Sequence, residues 1–189
     1  MGETFAISHG WSSGKWHTKR FREALIEAGF RPIKNIAEAD IIIAHSAGCY
    51  KLPKELRAKL IVLIGVPYWP SQSILARLFR NKRADWSKII TQQGFWYAVQ
   101  KLTWQAIYVI LKPGLTFIGF LNHKRLHFFE NIKDKRVILI RNEEDNLSSP
   151  DLIDSVKHYK NVHYVKMPGV HDDYYTNPKP YVDLILKHL

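Results

Sequence analysis

Short apolar runs alternate with amphipathic stretches along most of the chain. Strands are predicted at 4–8, 30–35, 41–44, 60–66, 137–140 and 162–165. The run at 41–44 is apolar at every position, which is typical of a strand covered on both faces. Helices are predicted at 16–28, 151–159 and 179–189. This alternation predicts an α/β fold, a three-layer sandwich built on a mostly parallel sheet.

One stretch breaks the alternation. Between 69 and 129 the strand pattern is lost and aromatic residues are dense. We therefore predict a single domain over 1–189, in which 69–129 is a helical, aromatic-rich cap packed over one edge of the sheet. Lys101, Lys112 and Pro113 interrupt the apolar part of this stretch, so a membrane-spanning helix is not expected.

Two interpretations of the cap remain open. In the preferred one, the cap is a lid that packs on the domain and lines an acyl-binding pocket. In the other, it docks on a membrane or on aggregated lipid beside a basic rim. That rim consists of Arg77, Arg80, Lys82 and Arg83. The two interpretations are compatible with each other.

The strongest chemical signal is the segment Ala44-His45-Ser46-Ala47-Gly48, which follows the predicted buried strand. A serine on a tight strand-to-helix turn needs small neighbours two residues away on either side, and Ala44 and Gly48 supply them. The turn presents the hydroxyl above the carboxyl edge of the sheet, where ligands of open α/β sheets bind. Ser46 is therefore the predicted nucleophile, and His45 is expected to pack rather than to react.

A serine hydroxyl needs a base to take its proton, and a carboxylate must orient that base. His171 lies in a loop just past the last predicted strand, from which it can reach Ser46 over the sheet edge. Asp145 follows the strand at 137–140 and is the predicted acid, with Glu144 as the alternative. The order Ser46, Asp145, His171 is the nucleophile, acid, base order of α/β-hydrolases.

An oxyanion hole completes the predicted site. Gly10 allows the backbone to turn after the first strand, so that the N–H of Trp11 can point at the substrate. The second expected donor is the N–H of Ala47, next to the nucleophile at a helix N-terminus.

In these motifs the chain resembles small serine hydrolases of the α/β-hydrolase superfamily over about 4–67 and 136–189. It departs from their pattern in three ways. The hairpin that usually precedes the strand before His9-Gly10 is lacking. In the nucleophile elbow, the turn formed by residues 44–48, Ala44 replaces the first glycine of the family pattern. Asn142 stands where glycine is common before the acid. The resemblance implies a compact version of that fold and an esterase-like or lipase-like activity.

Charge adds one alternative to this picture. Lys and Arg total 28 against 17 Asp and Glu, a net charge of +11, which suits nucleic acid, an anionic membrane surface or an anionic substrate. The sequence carries no recognised nucleic-acid-binding motif, so a specific nucleic-acid partner is not expected.

The single cysteine, Cys49, excludes an intramolecular disulfide and a zinc site of paired cysteines. We expect no cofactor and no metal. The N-terminal residues lack the pattern of a secretory signal, which predicts a cytoplasmic location, with peripheral membrane contact through the cap as an option.

Together these features predict a serine hydrolase that cleaves a carboxylic ester, or less readily a thioester or amide, of a small molecule. The first alternative is a non-catalytic basic binding protein on the same fold, for anionic lipid or nucleic acid. The second is an acyltransferase that uses the same three residues.

Overall fold

The fold is built on a parallel sheet. The computed structural model describes residues 2–10, 17–68, 90–91, 95–111 and 126–189. Within them, one sheet contains six strands. These are β1 (Thr4–Ser8), β2 (Arg31–Pro32), β3 (Ile41–His45), β4 (Leu60–Ile64), β5 (Arg136–Asn142) and β6 (Val162–Met167).

Neighbouring strands follow the order β2-β1-β3-β4-β5-β6, and each pair is parallel. The chain leaves β1 toward one side of the sheet to form β2 and then passes to the other side of β1 to form β3. Such a reversal opens a crevice at the carboxyl ends of the two strands it separates. The carboxyl ends of β1 and β3 therefore mark the expected ligand site.

Five α-helices are described. They are α1 (Lys19–Glu27), α2 (Phe95–Leu111), α3 (Leu152–Val156), α4 (Asp173–Thr176) and α5 (Lys179–Lys187). Short 3₁₀ helices cover Ile36–Glu38, Ser46–Lys51 and His127–Ile132.

Both faces of the sheet are covered. Successive strand residues point to opposite faces, so Phe5 and Ile43 pack against α1, α4 and α5 on one side. On the other side, Ile42 and Leu63 pack against α3 and the last 3₁₀ helix. The predicted three-layer α/β architecture is confirmed.

The strand predicted at 30–35 is reduced to the two residues of β2. Pro32 has no N–H to donate and so suits only a short pairing at the end of the strand order. The pairing with β1 rests on the amides of Arg31 and Ile33, which donate to Glu3 O and Phe5 O at 2.9 Å each.

A second difference lies directly after β3. The strand-to-helix turn at Ser46 predicts a helix after β3, and the structure has a short 3₁₀ helix there that ends at Lys51. Pro53 explains the early end, because the residue before a proline is disfavoured in helical conformation. Leu52 is extended, with ψ of 130°.

The structure describes part of the predicted cap, namely α2, residues 90–91 and 126–129. Phe128 and Phe129, at the end of the range, are buried in the core on the α3 side of the sheet. The basic rim lies outside the described residues, and the extent of the cap stays a prediction. Among the helices that are described, none combines the length and the apolar character needed to cross a bilayer.

Candidate active site

Ser46 has a strained backbone at the carboxyl end of β3. Its φ is +53°, the left-handed region that costs a residue with a side chain about 1–2 kcal/mol. Such strain persists only where the surroundings enforce it, and it clusters at functional sites. Here Ala44 is fully buried, and a Cβ at Gly48 would overlap the carbonyl oxygen of Ser8. The small neighbours predicted from the sequence are thus required by close packing.

The end of β1 lies against this turn. The Ser8 hydroxyl donates to the carbonyl oxygen of Gly48 at 2.8 Å. A Cβ at Gly10 would lie 2.9 Å from the Cβ of Ser46. The His9-Gly10 turn therefore packs directly beside Ser46. Ala47 is the second residue of the 3₁₀ helix, and Trp11 lies outside the described residues.

His171 and Asp145 form a buried pair. His171 Nδ1 lies 2.8 Å from Asp145 Oδ2, and both side chains are almost inaccessible to solvent. The other carboxylate oxygen, Oδ1, accepts from the amides of Leu147 at 2.8 Å and Ser148 at 3.2 Å. Because both carboxylate oxygens have donors, the carboxylate is held in one orientation toward the imidazole.

Glu144, the alternative acid, is placed differently. Its side chain is exposed, and its backbone N–H donates to Gly169 O at 3.0 Å. The carboxylate in contact with the His171 ring is that of Asp145.

These residues lie at one edge of the sheet because the carboxyl ends of parallel strands share that edge. Gly10 follows β1, Ser46 follows β3, Asp145 follows β5 and His171 follows β6. Each lies within five residues of a strand end, so the sheet brings all four residues to the same edge.

Comparison of the structure with solved structures identifies the fold. An esterase from Rhodococcus sp. ECU1013 superposes with a TM-score of 0.68 at 12% identity, over 99% of this chain and 90% of that chain. The chain has the α/β-hydrolase fold. A carboxylesterase of the thaumarchaeon Nitrososphaera gargenis gives a TM-score of 0.65 at 12% identity, over 99% and 89% of the two chains. A bacterial membrane phospholipase A gives 0.65 at 11% identity, over 98% and 78%.

No protein-family model matches the chain, and no curated protein matches it in sequence. At such low identities, the solved structures establish the fold and leave the reaction open. The chemistry has to be argued from the site.

In this α/β-hydrolase fold, Gly65 is a site residue that the sequence analysis missed. It follows β4 with φ of +57°. A Cβ there would lie 2.9 Å from Asp145 Oδ2 and 3.0 Å from His171 Nδ1. The left-handed φ and the lack of space for a Cβ both require glycine at this position. The absent side chain makes room for the Asp145–His171 pair. The sequence signal is a glycine near the end of the strand predicted at 60–66, and in the structure that strand ends one residue earlier, at Ile64.

His45, the neighbour of Ser46, is buried and packs as expected. Its ring centroid lies 4.7 Å from that of His171. Burial, followed by the charge of His171, lowers the pKa of His45 to about 3. His45 is therefore neutral at physiological pH. Its Nε2 lies 3.2 Å from His171 O, and its Nδ1 lies 3.3 Å from Tyr175 Oη.

Asn142, the departure from the glycine of the resembled family, is fully buried. Its Nδ2 donates to Val170 O at 2.5 Å, and its Oδ1 accepts from Tyr181 Oη at 2.9 Å. The amide thus ties the end of β5 to the loop that carries His171.

Among the described residues, one group could bring metal ligands together. His45, His171 and Asp172 have ligand atoms within 4.8 Å of one another. Both ring nitrogens of His45 and Nδ1 of His171 already take part in hydrogen bonds, which a cation would have to displace. We therefore interpret the group as a hydrogen-bonded network and assign it no metal or cofactor.

Proposed function

We propose that the protein is a serine hydrolase that cleaves a carboxylic ester. The observation that carries the proposal is the left-handed Ser46 at the end of β3, on the same sheet edge as the buried Asp145–His171 pair. Nucleophilic acyl transfer requires a serine within reach of an oriented imidazole, and the shared sheet edge supports this arrangement for Ser46 and His171. The esterase and carboxylesterase of the same fold support this reaction class.

The proposed reaction has two halves. Ser46 Oγ attacks the ester carbonyl carbon while His171 Nε2 takes the hydroxyl proton, and collapse of the tetrahedral intermediate releases the alcohol, which takes that proton. Water then attacks the acyl-enzyme as His171 takes its proton, and the carboxylic acid leaves as His171 returns that proton to Ser46 Oγ. Asp145 holds the imidazole with its proton on Nδ1 and stabilises the imidazolium.

The negative charge on the carbonyl oxygen needs donors at the turn. We assign this role to the backbone N–H groups of Ala47 and Trp11. Preorganised donors of this kind contribute a factor of about 10²–10³ each. Ala47 is the second residue of the 3₁₀ helix, in the first turn, where N–H groups have no partner within the helix.

Labelling with a fluorophosphonate probe tests the nucleophile. We expect the wild type to be labelled and Ser46→Ala to remain unlabelled. Ser155→Ala, a serine of α3 outside the site, serves as control and should label like the wild type. Equal labelling of Ser46→Ala, or no labelling of a folded wild type, would refute the proposal. Product analysis with an added alcohol or amine separates hydrolysis from the acyltransferase alternative.

The second part of the proposal concerns the cap. Helix α2 exposes large apolar side chains, with 79% of Trp96, 76% of Ile110 and 72% of Leu111 accessible. An exposed apolar helix in a chain of net charge +11 suits an anionic lipid surface. We assign α2 to peripheral contact with such a surface, from which an acyl substrate would reach Ser46.

Vesicle sedimentation tests this contact. We expect the wild type to bind vesicles of phosphatidylglycerol more strongly than vesicles of phosphatidylcholine. Trp96→Ser with Ile110→Ser should weaken binding and leave hydrolysis of a soluble short-chain ester unchanged. Ile26→Ser, an exposed apolar residue of α1, is the matched control. Equal binding by the α2 variant and the control would contradict the assignment.

The non-catalytic alternative makes a different prediction. A basic binding protein would retain salt-sensitive affinity for nucleic acid or anionic lipid without any turnover. Absence of ester hydrolysis together with such affinity in Ser46→Ala and wild type alike would favour it.

A further inference from the structure

The loop that carries His171 is attached to the sheet through two buried side chains. His45 ends β3 and Asn142 ends β5. His45 Nε2 lies 3.2 Å from the carbonyl oxygen of His171, and Asn142 Nδ2 donates to the carbonyl oxygen of Val170. Two consecutive carbonyl groups of this loop are thus bound by two different strand ends.

Each of these side chains is in turn held by a tyrosine from a helix. Tyr175 of α4 lies with Oη 3.3 Å from His45 Nδ1, and Tyr181 of α5 donates to Asn142 Oδ1 at 2.9 Å. All four side chains are buried, none more than 3% exposed. The pattern is the same twice: a tyrosine hydroxyl, a polar side chain at a strand end, and a loop carbonyl.

The directions of these hydrogen bonds follow from the chemistry of the groups. A carbonyl oxygen can only accept, so His45 must carry its proton on Nε2. A neutral imidazole then has Nδ1 free to accept, and Tyr175 donates to it. Burial and the charge of His171 keep the pKa of His45 near 3, which maintains this neutral tautomer at physiological pH.

We infer that the Tyr175–His45 and Tyr181–Asn142 pairs are positioning devices that set where the His171 imidazole stands relative to Ser46 and Asp145. This inference rests on the proposed function. His45 precedes Ser46 in the chain, and Asn142 lies three residues before Asp145, so each pair links the His171 loop to the strand end that carries one of its partners. Buried networks of this kind stabilise one arrangement when every member is satisfied.

The test removes hydroxyl groups and leaves the rings in place. Tyr175→Phe and Tyr181→Phe are compared with Tyr159→Phe, whose hydroxyl donates to Glu130 Oε1 on the surface. A misplacement of about 1 Å at a reacting group costs up to about 100-fold in rate. We expect kcat to fall by about 10-fold in each site variant and by up to about 100-fold in the double variant. KM should stay within about twofold, and Tyr159→Phe should match the wild type.

A conservative substitution of His45 separates the effect of its hydrogen bond from the effect of its side-chain volume. Gln places an N–H donor near the position of Nε2 of histidine, whereas Asn does not reach it. We therefore expect His45→Gln to retain more of kcat than His45→Asn. Equal kcat in these two variants, or wild-type kcat in both tyrosine variants, would overturn the inference.

A spectroscopic readout keeps this test independent of turnover. The ¹H resonance of the His171 Nδ1–H reports its hydrogen bond to Asp145. We expect it to shift or broaden in Tyr175→Phe and Tyr181→Phe, and to be unchanged in Ser46→Ala and Tyr159→Phe. An unchanged resonance in both site variants refutes the positioning role. Absence of fluorophosphonate labelling in the wild type would refute the proposed function instead.

Discussion

A methyl group at Gly65 is the sharpest perturbation of the Asp145–His171 pair. The new Cβ would lie 2.9 Å from Asp145 Oδ2 and 3.0 Å from both Nδ1 and Cε1 of His171. Ordinary carbon contacts are about 3.5–4.0 Å. The imidazole and the carboxylate must therefore move by about half an ångström or more in Gly65→Ala.

The cost of this substitution has two parts that a control can separate. Left-handed backbone costs alanine about 1–2 kcal/mol, and overpacking costs a further 1–3 kcal/mol or so. Gly29 has φ of +94°, and a Cβ there would meet nothing within 4 Å. Gly29→Ala therefore carries backbone strain without any contact with the site. We expect it to lose about 1–2 kcal/mol of unfolding free energy, and Gly65→Ala about 2–5 kcal/mol.

Activity should distinguish the two variants more sharply than stability. We expect Gly65→Ala to lower kcat for ester hydrolysis by about 100-fold, because the reacting imidazole is displaced. Gly29→Ala should keep the wild-type kcat. Urea unfolding and steady-state kinetics on the same samples measure both quantities. If Gly65→Ala retained wild-type kcat, or if Gly29→Ala lost as much, the placement of the pair against Gly65 would be wrong.

Two further predictions concern the acid and the buried imidazole. Asp145→Asn should lower kcat by about 10⁴-fold, because the amide that replaces Oδ2 turns a donor toward Nδ1 and favours the wrong tautomer. Glu144→Gln should change it little, and the reverse result would make Glu144 the acid. The lowered pKa of His45 predicts a pH-dependent stability. His45 binds a proton below its ordinary pKa of 6.5 in the unfolded chain, but only near pH 3 in the folded protein. Its contribution to the free energy of unfolding is therefore full above pH 6.5 and is lost as the pH falls toward 3. The slope is at most about 1.4 kcal/mol per pH unit. Thermal unfolding between pH 6.5 and 4.5 should therefore depend less on pH in His45→Gln, and parallel curves would contradict this reasoning.

The strands were predictable because their signal is local. Runs such as Ile41-Ile42-Ile43 are apolar at every position, and only a strand covered on both faces accommodates them in a parallel sheet. Once the strands are known, the ends of β3, β5 and β6 place Ser46, Asp145 and His171 at one edge. The positions of the candidate residues after strand ends are therefore enough to predict that they lie in the same part of the molecule.

The supporting residues were less predictable, because their role depends on the paths of loops. Gly65 matters only because the Asp145–His171 pair passes within 3.0 Å of its missing side chain. In the sequence, Asn142 is recognisable only as a departure from a family pattern. Its role depends on the contacts of its amide with Val170 O and Tyr181 Oη, which the structure shows. The shortness of the 3₁₀ helix Ser46–Lys51 has another explanation. The elbow pattern favours a helix after the strand, whereas Pro53 ends that helix early.

Contacts at Asp145 and Ser46 explain how a site with only a short 3₁₀ helix after β3 can be held in place. The orientation of Asp145 comes from the amides of Leu147 and Ser148, and the strain at Ser46 comes from the close approach of Gly48 to Ser8. None of these contacts needs a long helix after β3. The excess positive charge does not take part in them either, because the groups that hold the pair are backbone amides and neutral side chains. Charge can therefore act on the approach of a substrate or a lipid surface, while the position of His171 is set inside the fold.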